Sequence, residues 1–171
     1  RLDQVLFVVA HQPWQKVGTR QITDSALRLA MVVAATNDRD DLIASSLEID
    51  RGGSSYTVDT VEELRALHPD AELVLVVGSD VVADLATWHR HDELRDMVTV
   101  GVVDRPGDLG SEAPPGWTVE RIAAPLVDLS SSLLRERLAA GEPVDYLVPR
   151  SALDIYEQWH TNAPAAEEGS P

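Results

Sequence analysis

The sequence predicts an α/β fold with a mostly parallel, doubly wound sheet that is covered by helices on both faces. Short apolar runs such as Val5–Ala10 and Leu73–Val77 are typical of buried parallel strands. These runs alternate with segments of helical periodicity, which is the order that connects parallel strands. The 171 residues, 44% of them apolar, suffice for one such domain over residues 1–160, and the polar end at 161–171 is expected to be disordered.

Each element is predicted by its own signals. Asp24 and its neighbours cap the first helix, and Leu42–Ile49 alternates apolar and polar residues like a half-buried strand. After a glycine loop, Ser55 or Thr57 caps the second helix. In order, the predicted elements are the strand Val5–Ala10, a helix from Ser25 to about Thr36, the strand Leu42–Ile49, a helix ending near His68, the strand Leu73–Val77, short helices at Val81–Leu85 and Asp92–Met97, strands at Val98–Val103 and Trp117–Ala123, and helices at Ser130–Ala140 and Ser151–His160.

The composition excludes several classes of protein. The 14 basic and 29 acidic residues give a formal charge of −15, and so acidic a surface repels the phosphates of nucleic acids. The absence of cysteine removes disulfide scaffolds, thiolate zinc sites and thiol nucleophiles. No apolar run approaches the ~20 residues of a membrane span, and no signal-peptide pattern is visible. We expect a cytoplasmic protein that binds neither nucleic acid nor membrane.

The most informative polar string is Ser130-Ser131-Ser132, which opens a helix that carries Arg135. The first N–H groups of a helix lack intrahelical partners, and the positive end of the helix dipole lies at the same place. Three hydroxyls and a guanidinium at this point predict an anion site that suits a polyphosphate. The alternative is an ordinary serine cap followed by a surface arginine.

Loops that follow the predicted strands carry further candidates, because α/β sheets bind ligands at the carboxyl ends of their strands. Gly78 lets a ligand approach the backbone, and Asp80 can accept a hydrogen bond from a ribose hydroxyl. Lys16 and Arg105 are candidate phosphate ligands. Plain turns and a solvated loop are the competing explanations for these residues.

Two more features indicate a site for a small acid and a flat ring. The string Ser55-Tyr56-Thr57 precedes a helix, where N–H groups and hydroxyls can hold a carboxylate. The Trp88 indole can stack on a ring or simply pack in the core. His89 and His91 have no third ligand nearby, so no metal site is predicted. The strings G-x-S-x-G, G-x-x-x-x-G-K-[ST] and G-x-G-x-x-G are absent.

Taken in order, these pieces resemble bacterial nicotinate-mononucleotide adenylyltransferase over residues 2–160. The resemblance is carried by LDQVLFVVAHQPWQK, EIDRGGSSYTVDTVEEL, LVLVVGSDVVADLATWHRHDEL, VGVVDRPG and LSSSLLRERLAAGEPVDYLVP, and QPWQK, DRGG and SYTVDT look closest to the actinobacterial branch. It implies a Rossmann-like sheet of the nucleotidyltransferase type. It also implies a reaction of NAD biosynthesis, the transfer of AMP from ATP to nicotinate mononucleotide, giving deamido-NAD and pyrophosphate.

The resemblance implies a role for each candidate. The nicotinate ring would stack on Trp88, its carboxylate would meet the Ser55-Tyr56-Thr57 string, and adenosine would lie beside Gly78 and Asp80. Mg²⁺ would accompany ATP. The phosphates would be met by hydroxyls and cations, namely Lys16, Arg105, Ser130, Ser131, Ser132 and Arg135. Lys16 and Arg135 would neutralise charge during the transfer, which needs no protein nucleophile.

The chain departs from the family pattern in two places. The usual serine-serine-threonine turn is here Ser130-Ser131-Ser132, which keeps the hydroxyls. Family members also begin with a strand ending in G-G-T-F-D-P-x-H-x-G-H, whose histidines contact the ATP phosphates, and this chain has no such string. In the family that strand lies between the strands at Val5–Ala10 and Leu73–Val77. Because unpaired buried backbone groups are costly, we expect roughly 20–30 further residues upstream.

Two alternatives to this enzyme stay open. One is an adenylyltransferase of the same superfamily with another acceptor, such as pantetheine phosphate, although Tyr56 and Trp88 favour a pyridine carboxylate. The other is a nucleotide-binding module that has lost catalysis together with the histidine motif. Assembly into a homo-oligomer is also open.

Overall fold

The computed structural model describes residues 2–13 and 23–162. The chain divides into two compact units, the first from residues 1–55 and 136–171 and the second from residues 56–135. Every pair of neighbouring strands described in the sheets is parallel, as the sequence predicts. Within the described ranges, no helix is both long enough and apolar enough to cross a membrane.

The described helices and strands follow the predicted alternation. In chain order they are β1 (Val5–Val8), β2 (Gln12–Pro13), α1 (Ser25–Thr36), β3 (Leu42–Ser45), α2 (Leu47–Arg51), β4 (Ser54–Ser55), α3 (Thr57–Leu67), β5 (Val74–Gly78), α4 (Ser79–Val82), a 3₁₀ helix (Ala83–Thr87), α5 (His91–Met97), β6 (Thr99–Val103), β7 (Val119–Ile122), α6 (Ser131–Ala139) and α7 (Arg150–Asn162).

The first unit is organised by two short sheets and the packing of α1 against α7. β1 pairs with β3, and β2 pairs with β4. α1 begins where the sequence predicts, because the Asp24 carboxylate accepts hydrogen bonds from the N–H groups of Ala26 (2.9 Å) and Leu27 (3.2 Å). The buried apolar side chains of the first unit are Val9, Leu27, Val144, Ala152 and Leu153.

The second unit holds a three-stranded sheet in the order β5-β6-β7. The pairing of β5 with β6 sets Val74 opposite Thr99 and Gly78 opposite Val103. Helices α3 and α5 pack together beside this sheet's core. The buried hydrophobic core is aliphatic and consists of Val58, Val61, Val77, Val82, Leu85, Leu94, Val98, Val100 and Val102.

Two apolar strands have an open edge among the described residues. β1 is paired only with β3, and β5 is paired only with β6. Phe7 on β1 is 43% exposed and Val76 on β5 is 45% exposed, whereas parallel strands normally bury both faces. β1 and β5 therefore belong to different sheets in this part of the chain, and each leaves backbone groups and apolar side chains uncovered.

The prediction of one strand over Leu42–Ile49 is wrong in its second half. β3 ends at Ser45, and Leu47–Arg51 forms the short helix α2. Glu48 and Asp50 favour the start of a helix, where the dipole is positive. Gly52 ends the helix with a φ of 72°, a conformation that glycine adopts at little cost.

The prediction that a hydroxyl caps α3 is also wrong. The N-cap residue is Tyr56, and it makes no side-chain cap bond. Ser55 Oγ instead accepts hydrogen bonds from the N–H groups of His11 (2.8 Å) and Gln12 (3.3 Å), where β4 meets β2. This hydroxyl joins two strand segments, which is a long-range contact that local sequence signals do not encode.

Smaller differences occur at the ends of helices. The helix predicted from Val81 begins at Ser79 and continues as the 3₁₀ helix. Leu67, the last residue of α3, is 62% exposed. α7 extends through Asn162, two residues into the predicted disordered tail, and residues 163–171 lie outside the described ranges.

Replacing Leu94 by alanine should destabilise the protein by about 2–5 kcal/mol, because the fully buried side chain leaves a cavity that its neighbours fill only in part. Leu67→Ala is the matched control, since that leucine is largely exposed, and it should change stability by about 0.5 kcal/mol or less. Urea unfolding followed by circular dichroism measures both. Equal destabilisation of the two variants would contradict the core described above.

Candidate active site

A groove of about 430 Å³ opens at the carboxyl end of β5. It is lined by apolar side chains together with one acidic and one basic group, namely Val76, Val77, Gly78, Asp80, Val81, Val103 and Arg105. The sequence placed Gly78 and Asp80 after one strand and Arg105 after another. The structure brings these three candidates together, because β5 and β6 are neighbours in register.

The charged groups of the groove contact each other. Arg105 Nη1 donates a hydrogen bond to Asp80 Oδ2 at 3.0 Å, and both side chains are about half exposed. Beneath them, the hydroxyl of buried Ser79 accepts a hydrogen bond from the Arg105 N–H at 2.9 Å. The buried bond fixes the turn, whereas the exposed ion pair adds little stability. A polar ligand can therefore compete for Asp80 and Arg105 at small cost.

Position 78 requires glycine because a side chain would not fit there, and not because of its backbone angles. Its φ of −76° is available to any residue. A Cβ at this position would collide with Asp80 Oδ1 and would lie 3.0 Å from Arg105 Cδ. The absence of a side chain thus keeps the ion pair in place and leaves the backbone of β5 open to the groove.

Ser130 serves as the cap of α6. Its Oγ accepts a hydrogen bond from the Leu133 N–H at 3.1 Å, and its carbonyl accepts one from the Leu134 N–H at 3.0 Å. This is the geometry of an ordinary N-cap. Ser131 is exposed at the first position of α6, and Ser132 is partly buried. Binding of an anion by this turn stays a prediction.

Arg135 differs from the other arginines within residues 2–13 and 23–162. Each of the others has a hydrogen-bond, ion-pair or electrostatic partner, whereas exposed Arg135 has none in this part of the chain. An unpaired guanidinium on a protein of charge −15 is available to an anionic ligand. Lys16, the other predicted catalytic cation, lies outside the described residues and stays a prediction.

The residues predicted to bind a flat ring and a carboxylate lie at the start of α3 and in the turn before α5. The rings of Tyr56 and His89 are in contact, with centroids 4.2 Å apart and planes tilted by 31°. Trp88 packs against the valine and leucine core, and its buried Nε1 has no hydrogen-bond partner among the described residues. Thr57 is the first residue of α3. Ring stacking on Trp88 and carboxylate binding at Tyr56 and Thr57 stay predictions.

Two contacts in this region were not predicted from sequence. His89 was considered only as a metal ligand, but it stacks on Tyr56. Arg90 was assigned no role, but it pairs with Asp59, Glu62 and Glu93. The spacing of Glu93 three residues after Arg90 is visible in the sequence. The partners on α3 are about 30 residues away, and no local pattern identifies them.

The described residues offer no ready-made cage for a metal ion. No group of three or more His, Asp or Glu side chains within these ranges is arranged to hold one. The carboxylate of the groove, Asp80, is paired with Arg105. A divalent ion that arrives on a triphosphate suits this arrangement, because Mg²⁺ commonly takes phosphate oxygens and waters as ligands.

A parallel sheet with a polar groove at the carboxyl end of a strand is the arrangement found in nucleotide-binding α/β proteins. The sequence profile described as cytidylyltransferase-like matches residues 1–137, and the chain belongs to this family.

Curated relatives match almost the whole chain. A Streptomyces coelicolor protein named "Probable nicotinate-nucleotide adenylyltransferase" is 39% identical over 161 residues, which cover 94% of this chain and 85% of the relative. A Frankia alni protein of the same name is 41% identical over 93% of this chain and 84% of the relative. The resemblance drawn from the sequence, including its actinobacterial character, is thereby confirmed.

Solved structures confirm the fold. The Plasmodium falciparum nicotinic acid mononucleotide adenylyltransferase complexed with NaAD matches with a TM-score of 0.71, covering 92% of this chain and 82% of that chain at 15% identity. The same enzyme complexed with APC gives a TM-score of 0.69. The predicted Rossmann-like, nucleotidyltransferase type of fold is therefore correct.

Gly78→Ala should weaken ATP binding, because its methyl group takes space in the groove beside Asp80 and Arg105, while the chain stays folded. The added methyl group meets the ends of the Asp80 and Arg105 side chains, which can move. Calorimetric titration with ATP and thermal unfolding measure the two effects. Gly101→Ala is the contrasting variant. Its Cβ would lie 2.8 Å from Ile122 Cδ1 and 3.1 Å from Val74 Cγ1, so it should lower stability instead. Unchanged ATP affinity in Gly78→Ala would remove Gly78 from the site.

Proposed function

We propose that this protein transfers AMP from ATP to nicotinate mononucleotide, releasing pyrophosphate and forming deamido-NAD. The observation that carries the proposal is the identity of 39% and 41%, over more than nine-tenths of the chain, to relatives named for this activity. The groove at Gly78 supports it, and so does Arg135, which has no partner in the described part of the chain, since ATP presents both a nucleoside and a strong anion.

The reaction is a displacement at phosphorus. A phosphate oxygen of nicotinate mononucleotide attacks the α-phosphorus of ATP, and the bond from that phosphorus to the pyrophosphate oxygen breaks with its electron pair. No side-chain nucleophile takes part, which suits a chain without cysteine. The protein contributes by holding the two reactants in line and by neutralising charge as it develops.

In this proposal ATP lies along the Gly78 groove. The bare backbone of Gly78 admits the adenosine, and Asp80 accepts a hydrogen bond from it in exchange for part of its contact with Arg105. Arg105, Arg135, Lys16 and the Ser130-Ser131-Ser132 turn meet the phosphates. Mg²⁺ enters with ATP and offsets phosphate charge.

In the same proposal the acceptor lies at Tyr56, Thr57 and Trp88. The N–H groups in the first turn of α3, which have no intrahelical partners, donate to the nicotinate carboxylate, and α3 at 11 residues is long enough for a useful dipole. Ser55 Oγ accepts hydrogen bonds from the N–H groups of His11 and Gln12, which leaves its O–H as a donor for the carboxylate. The Trp88 ring supplies the apolar surface for the pyridine.

We further propose that residues 1–160 act as a single nucleotidyltransferase domain. The cytoplasmic location expected from composition belongs to the same proposal.

Two other functions compete with this one. Transfer of AMP to pantetheine phosphate would use the same ATP groove. That acceptor has neither a carboxylate for the helix start at Tyr56 nor a flat ring for Trp88. A nucleotide-binding module without catalysis would bind ATP and release no pyrophosphate.

The purified protein should convert ATP and nicotinate mononucleotide to deamido-NAD and pyrophosphate, and it should prefer the acid to nicotinamide mononucleotide by about tenfold or more. Charge-assisted hydrogen bonds to a carboxylate are roughly twice as strong as those to an amide. Chromatography of the dinucleotide product with each acceptor measures the preference. Equal turnover of both acceptors would contradict the carboxylate site, and turnover of pantetheine phosphate alone would replace the proposed function.

Arg135→Ala should lower kcat/KM for ATP by roughly 2–4 kcal/mol, on the scale of a lost donor to a developing anion. Stability should not change, because the side chain is exposed and makes no ion pair among the described residues. Arg39→Ala is the control: that arginine pairs with Asp41 on the surface, and its loss should leave activity unchanged. If Arg135→Ala retains full activity, the phosphate role of Arg135 is wrong.

A further inference from the structure

We propose that Arg90 is the positioning residue of the acceptor site, where it ties the turn that carries Trp88 to helix α3. The inference rests on the proposed function and deepens it, because it names the group that sets the distance between the ring platform and the carboxylate-binding helix start. Arg90 itself touches no substrate in this proposal.

The contacts of the Arg90 guanidinium join two helices. Nη1 donates to Asp59 Oδ1 at 3.2 Å and to Glu62 Oε2 at 3.1 Å, and both acceptors are on α3. Nε and Nη2 donate to the two carboxylate oxygens of Glu93 on α5, at 2.8 and 2.6 Å. A planar guanidinium can satisfy these partners together, because its N–H groups form a rigid fork.

The charges of this cluster are mutually stabilised. The hydrogen bonds from Arg90 hold the pKa values of Glu62 and Glu93 below their usual range. The same bonds raise the pKa of Arg90. All of these groups are therefore charged at neutral pH, and the link between α3 and α5 does not depend on pH there.

The backbone of Arg90 is as constrained as its side chain. Arg90 has φ 51° and ψ 41°, and it is the one non-glycine residue with positive φ in the described part of the chain. This left-handed conformation turns the chain between Trp88 and the start of α5. Left-handed residues other than glycine persist only where surrounding contacts hold them, and the three carboxylates supply such contacts.

A second link connects the same turn to α3. His89 stacks on Tyr56, which is the N-cap of α3. Trp88, the residue before His89, packs on the core through its ring, but its indole N–H has no partner among the described residues. The placement of Trp88 relative to the start of α3 is thus held by a ring contact on one side and by the Arg90 ion pairs on the other.

These ion pairs are better suited to fixing geometry than to holding the fold. The Arg90 side chain is 32% exposed, and its carboxylate partners are exposed to a similar or greater extent. Exposed pairs contribute little to global stability. Their loss should therefore leave the protein folded and release the turn, with an effect confined to the acceptor.

The test compares four variants. Arg90→Met removes the ion pairs, Arg90→Gly removes them and accepts the left-handed backbone without strain, and Arg90→Lys keeps the charge without the fork. Arg95→Met is the matched control, because the ion pairs of Arg95 within the described ranges are with Asp92 and Asp96 of its own helix. We expect Arg90→Met and Arg90→Gly to raise KM for nicotinate mononucleotide about tenfold, while KM for ATP and kcat stay within about twofold of the wild-type values. The KM of Arg90→Lys for nicotinate mononucleotide should lie between the wild-type value and that of Arg90→Met. Arg95→Met should match the wild type.

A readout that is independent of turnover separates this inference from the proposed function. In a background where Trp14, Trp117 and Trp159 are phenylalanine, acrylamide quenching of Trp88 fluorescence should increase in Arg90→Met and Arg90→Gly but not in Arg95→Met. Wild-type protein that neither binds nor converts nicotinate mononucleotide would overturn the proposed function. Unchanged quenching and KM in both Arg90 variants, or a defect in Arg90→Met that Arg90→Gly lacks, would overturn the role of the ion pairs.

Discussion

The parallel register between β5 and β6 is the constraint on which the candidate nucleotide site depends. It sets Gly78 opposite Val103, so that the residues just beyond each strand, Asp80 and Arg105, reach each other. A shift of this register by one residue would reverse which side chains enter the core. The buried bond between Ser79 and the Arg105 N–H secures the same junction from below. The groove is therefore a consequence of sheet pairing and not of loop conformation.

The strongly acidic composition gives the arginines their importance. With 29 acidic residues against 14 basic ones, nearly every described guanidinium is drawn into contact with a carboxylate or a carbonyl oxygen. The arginines differ in how firmly these contacts hold them. Arg105 has an exposed partner and Arg135 has none among the described residues, and in the proposed function both meet phosphates. Arg90 is held by three carboxylates and acts within the protein.

The parts of the structure that local signals determine were predictable. β1, β5 and β6 follow from continuous apolar runs, and Asp24 and Ser130 cap the helices that they precede. The sequence-based predictions were wrong where a residue distant in the chain determines the local structure. Ser55 bonds to the N–H of His11, 44 residues away, instead of capping α3, and the alternation in Leu42–Ile49 does not reveal that Gly52 permits a short helix. The Tyr56–His89 and Arg90–Asp59 contacts need the packing of α3 on α5, which no single segment encodes.

The two halves of the candidate site are built by different means, and this difference has a functional consequence. The backbone of the Gly78 groove is held by strand pairing and by the hydrogen bond that buried Ser79 accepts. The turn at Trp88 and His89 is joined to α3 by side chains alone, through half-exposed ion pairs and one ring contact. Contacts of this kind yield more readily than sheet pairing. The backbone around the groove should therefore change little when a ligand binds, whereas the position of the Trp88 turn depends on the side chains of His89 and Arg90.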